Sequence, residues 1–150
     1  MLTYFSNSLH QSTQWVNATG PALAKAIVDA DRTANQLLLV ITADSASAAK
    51  LEREVIALSP SSPVLHFADR ETLPFDSFSP HEDITSERLR VLGELPSIER
   101  GILIVSVPTL LYRLPPTNYV QGNSFNFKLG SSIDPNQFRS QLEQSGYRAV

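Results

Sequence analysis

Four carboxylates gather in and just after one short stretch: Glu71 and Asp76 within ETLPFDSFSPH, then Glu82 and Asp83. Paired carboxylates can serve as general acid and base or hold a cation, provided the fold fixes two of them in one geometry. Nothing in the spacing does so, and no base or nucleophile accompanies them. Asp83 suits the start of a helix, where the dipole favours negative charge. Ser106, Thr109 and His66 form no recognisable nucleophile arrangement. The three histidines (His10, His66, His81) are scattered and cysteine is absent, so no metal site is expected and disulfides are excluded.

Phosphate chemistry has a more definite address. In an α/β domain a phosphate-binding loop lies between the first strand and the first helix, here Asn17 to Ala24. A working loop of the G-x-x-x-x-G-K-[ST] type needs glycines so that amides face the phosphates. It also needs a lysine for their charge and a hydroxyl for magnesium. The chain offers Thr19-Gly20-Pro21-Ala22-Leu23-Ala24. Gly20 is present, but the lysine and hydroxyl positions are apolar and Pro21 deletes an amide donor. Lys25 reads as a solvated lysine on the helix. Neither nucleotide hydrolysis nor a bound cofactor is expected.

Arg88 is the sharpest single residue. On a helix from about Asp83 to Leu95, the residues Ile84, Val91, Leu92 and Leu95 make an apolar arc. At about 100° per residue Arg88 falls inside it, while Glu87, Arg90 and Glu94 point outward. Two readings stand. A carboxylate or carbonyls of the 71–81 loop anchor the guanidinium, Asp76 first among them, because burying a lone charge is expensive. Alternatively the stem covers the apolar face and the head reaches water. In the same loop Pro74 and Pro80 force extended geometry before them, and Phe75 and Phe78 are rings that need a surface to lie on. Arg88, Asp76, Phe75 and Phe78 are therefore candidates for a structural clamp.

The elements that must position these residues follow from hydrophobic period. Residues 1–13 read as a short helix or lead-in, and Gln14–Ala18 as a brief strand. An Ala-rich helix runs from about Ala22 to Ala30, with Leu23, Ala26, Ile27 and Ala30 inward. Leu37–Ile41 is a continuous apolar run, the mark of a strand covered on both faces; Val64–Phe67 reads as a second strand and Ile102–Val105 as a third, buried one. Asp44 or Ser45 caps a helix reaching about Leu58, with Ala48, Leu51, Val55 and Leu58 inward. Pro108 suits the first turn of a short helix. Strands alternating with helices imply a three-layer α/β fold, a parallel sheet with helices on both faces. Pro115-Pro116 and Gly122-Asn123 mark its exit. Phe125, Phe127 and Leu129 then alternate as a half-buried strand, and Asp134-Pro135 opens a helix to about Ser145. These elements read as one domain over 1–122 and the start of a small α+β domain over 123–150.

The 150 residues suffice for one domain with a core, and the net charge of −3 is no footprint for nucleic acid. Neither a membrane span nor a signal-peptide pattern is evident.

ETLPFDSFSPHED, continued as ITSERLRVLGELPSIERGILIVSVPTLLYRL through Leu114, resembles the N-terminal, UvrB-like module of the bacterial transcription-repair coupling factors (Mfd). The resemblance implies a helicase-like, P-loop NTPase-type fold whose phosphate loop has degenerated, over 1–122. It also implies the beginning of a UvrA-recruiting domain over 123–150. The parent of such a module displaces stalled RNA polymerase and recruits UvrA to lesions in nucleotide excision repair. It is a cytoplasmic ATP-dependent DNA translocase whose motor lies outside these residues. The implied partners are UvrA, other domains of the same protein, and RNA polymerase and DNA through its C-terminal domains. Arg148 is the one exposed cation expected near the UvrA surface, though an ordinary surface residue is the plainer reading of it. Two other functions compete with a non-catalytic scaffold. One is a nucleotide-binding α/β enzyme; the other is weak DNA contact near Asp44–Ser47 and Ser106–Thr109.

Overall fold

The computed structural model describes residues 2–5, 12–16, 18–72, 76–122, 129–130 and 132–144, with the backbone alone for 2–5, 12–14 and 144. The chain divides into two compact units, Met1–Arg113 and Leu114–Val150.

The first unit is built on three parallel strands: β3 (Leu37–Thr42), β4 (Val64–Phe67) and β5 (Gly101–Ser106), in the spatial order β3-β5-β4. The central place belongs to β5, and its sequence explains why. GILIVS carries branched aliphatic residues at consecutive positions, so both faces of the strand can enter a core. Ile102 and Ile104 point to one face, packing with Ala24, Ile27 and Val28 of α1 (Pro21–Ala34), Val40 of β3, and Ala48, Leu51 and Val55 of α2 (Ser45–Leu58). Leu103 and Val105 point to the other, against Leu65, Phe67 and Val91 of α3 (Glu82–Glu94). Helices therefore flank the sheet on both sides, as expected for an α/β fold. Ile27, Ile102 and Ile104 are fully buried, each contributing about 1.5–3 kcal/mol of transfer free energy.

Gly101 opens β5 at φ +133°, a conformation L side chains rarely adopt, and a Cβ there would stand 2.6 Å from the Pro63 carbonyl oxygen. That same carbonyl accepts from Ile102 N at 2.9 Å, which sets the register of β4 against β5. Only a residue without a side chain allows both.

Several details depart from the sequence pattern. Instead of a helix or lead-in, the N-terminus forms an antiparallel pair, β1 (Leu2–Phe5) with β2 (Ser12–Trp15). The buried stripe of α1 is Ala24, Ile27, Val28 and Asp31, rotated from the expected Leu23, Ala26, Ile27 and Ala30. Small alanines define a helical face weakly, so the larger Ile27 and Val28 decide the rotation. Leu58, expected inward, is 45% exposed at the last turn of α2. The run Leu37–Ile41 is covered on one face only: Leu39 and Ile41 are 50% and 47% exposed, because α3 packs over β4 and β5.

A short helix, α4 (Val107–Leu110), follows β5 with Pro108 in its first turn. In the second unit, α5 (Thr117–Gly122) lies where the prolines and glycine suggested only an exit. The Pro116 carbonyl accepts from Tyr119 N and Val120 N, so the dipeptide starts a helix and does not merely end a strand. Asp134 Oδ1 accepts from Asn136 N at 2.9 Å and Gln137 N at 3.3 Å, opening α6 (Pro135–Gln144). The strand expected at Phe125–Leu129 falls on residues 123–128, outside the described residues, and Leu129 is fully exposed in a turn.

Candidate functional site

The head of α1 is the first place to test. Gly20 sits at φ 53°, ψ −135° as the residue before the helix, and Pro21 takes its first position. The Gly20 carbonyl accepts from Leu23 N at 2.9 Å and Ala24 N at 3.2 Å, so those two amides are turned back into the helix. No side chain caps this end. Pro21 has no amide at all. Thr19, Pro21 and Ala22 are exposed, Leu23 is partly buried against the core and Ala24 is buried within it. Lys25 is paired along the helix with Asp29, so its charge is directed sideways. The strand before this turn, β2, pairs antiparallel with β1, whereas the parallel sheet comprises β3, β4 and β5.

The carboxyl ends of the three parallel strands carry a second constellation. Asp44, two residues past β3, caps α2 by accepting from Ser47 N at 2.7 Å. That amide holds its carboxyl below the usual carboxylate range. Next to it, Ser45 donates to Asp69 Oδ2 at 3.2 Å and stands 3.4 Å from Ser106 Oγ, which is 2.8 Å from Thr109 Oγ1. Asp69 Oδ1 also accepts from Arg70 N at 2.6 Å. Ser106 and Thr109 are buried. This chain of hydroxyls ties the ends of β3, β4 and β5 together through one carboxylate. It satisfies its own hydrogen bonds and contains no histidine to act as base. Ligands of open α/β sheets bind at this edge; here it carries both signs of charge, Asp44 and Asp69 with Arg70 and Arg88 close to Asp69.

Arg88 lies beside this edge. Arg88 is 6% exposed and donates from Nη1 to the Ala68 carbonyl, with its guanidinium carbon 4.1 Å from the centre of the Phe67 ring. The carbonyl it reaches lies at the carboxyl end of β4, and Asp76 lies exposed in the loop. The packing of α3 on β4 sets Arg88 over the end of that strand. Burial lowers the guanidinium from its ordinary value, the charge of Arg70 acts the same way, and Asp69 opposes both. Arg70 in turn lies 5.8 Å from the centre of the Tyr112 ring, and Tyr112 donates to the Thr72 carbonyl at 3.2 Å. The entry to the 71–81 loop is therefore held by Tyr112 and its base by Arg88. Phe78, expected to lie on a surface, is 77% exposed. Phe75 falls outside the described residues, as does Arg148.

Of the remaining titratable groups, His66 Nδ1 pairs with Glu52 Oε2 at 2.9 Å, and the His81 ring accepts from Asp83 N at 3.3 Å at the head of α3. Among the described residues no group of three or more histidine, aspartate or glutamate side chains could hold a metal ion. No described helix is long and apolar enough to cross a membrane. Sequence reasoning missed Asp69, Phe67 and Tyr112. A signal for Asp69 existed: it stands two residues past the end of β4, as Asp44 stands two residues past β3.

No protein-family model matches the chain. It is 41% identical over 133 residues to the transcription-repair-coupling factor of Escherichia coli, 88% of this chain and 11% of the relative. The protein of the same name from Haemophilus influenzae is 41% identical over 134 residues, 89% of this chain and 12% of the relative. That from Staphylococcus aureus is 27% identical over 140 residues, 92% of this chain. The chain thus spans about a tenth of the length of the curated relatives it matches.

Proposed function

We propose that this chain, homologous to one stretch of the transcription-repair coupling factors, is a non-catalytic scaffold segment of such a protein. Residues 1–122 are a helicase-type α/β domain whose nucleotide site has been lost. Residues 123–150 begin a second domain that recruits UvrA. The parent is an ATP-dependent translocase that displaces stalled RNA polymerase in the cytoplasm and contacts DNA through its C-terminal parts. Its motor lies outside these residues.

The observation that carries this reading is the head of α1. A triphosphate needs outward amides, a cation and a magnesium-binding hydroxyl. The turn supplies a proline at the first helical position, amides of Leu23 and Ala24 bonded to the Gly20 carbonyl, and apolar side chains. At the sheet edge, Asp44 and Asp69 are taken up by Ser47 N, Ser45 Oγ and Arg70 N, which supports a structural use of that edge.

Fluorescence anisotropy tests the reading on its binding side. The chain leaves a short labelled duplex free at low salt. A longer polypeptide that continues past Val150 into the whole second domain binds purified UvrA, which residues 1–150 bind poorly. Duplex binding by this chain with a salt-dependent affinity overturns the scaffold assignment.

A further inference from the structure

No further inference is drawn: the strongest candidate, the half-bare outer face of β3, where Leu39 and Ile41 stand exposed on the same side of the sheet as exposed Val107 and the strand pairs with β5 alone among the described residues, carries nothing because nothing in the structure shows what covers it.

Discussion

Replacing Arg88 is the perturbation with the widest consequences for the loop. Arg88→Ala removes a charge-assisted hydrogen bond, leaves the Ala68 carbonyl without that donor and strips the Phe67 ring of its cation. A hydrogen bond to a charged group contributes about 1.5–3 kcal/mol, and a partly desolvated cation–π contact about 1–2 kcal/mol. Releasing a buried guanidinium back to water offsets part of this. Arg88→Ala is therefore expected to cost about 3 kcal/mol, with the loss of stem packing included. Arg88→Met, which keeps the stem, is expected to cost about 1–2 kcal/mol, since only the polar contacts go. For a domain of this size that difference separates the two variants by several degrees of melting temperature. Circular dichroism melts give the stabilities, and hydrogen exchange at residues 68–72 and 76–80 reads the loop. An Arg88→Ala protein that melts within about 0.5 kcal/mol of the parent, with unchanged exchange in those segments, refutes the clamp.

The other predictions concern single contacts. Gly101→Ala must leave φ +133° or press a Cβ on the Pro63 carbonyl, and a cost of about 2 kcal/mol or more is expected in a urea titration. Ile104→Ala opens the centre of the sheet and should cost about 2–5 kcal/mol, whereas Ile41→Lys on the half-bare face of β3 should cost less than about 1 kcal/mol. Equal losses would mean that both faces are covered. Asp44 has a folded pKa below its unfolded value, so its cap contributes fully above the ordinary carboxylate range and is lost as pH falls through the folded pKa. Melts of parent and Asp44→Ala should thus differ at neutral pH and converge in acid; a gap independent of pH contradicts the cap.

Legibility from the sequence followed the strength of the local signal. The three parallel strands are short, mainly apolar segments bounded by turn residues, and each occurs where its pattern places it. Asp44 announced the start of α2 by residue type and position. The rotation of α1 was harder to read, because an alanine side chain packs almost as well on either flank of a stripe. The β1–β2 pair was missed because LTYF and STQW are only four residues each and show no clean apolar alternation. At the candidate site, residue types alone show the proline and apolar side chains of Thr19–Ala24, while the turning of Leu23 N and Ala24 N to the Gly20 carbonyl is a fact of the fold. The partner of Arg88 was not readable from residue types: helical period places the arginine on the inner face, but only the crossing of α3 over β4 decides that Phe67 and Ala68 receive it. The one-sided cover of β3 was equally hidden, since a run such as LLLVI is identical whether one face or both are packed.

The central claim is that the head of α1 cannot hold a triphosphate, and a calorimetric titration of the chain with magnesium and ATP tests it most directly. The account predicts no saturable heat up to millimolar nucleotide. A saturable isotherm that disappears in the Gly20→Val variant, itself still folded by circular dichroism, contradicts it.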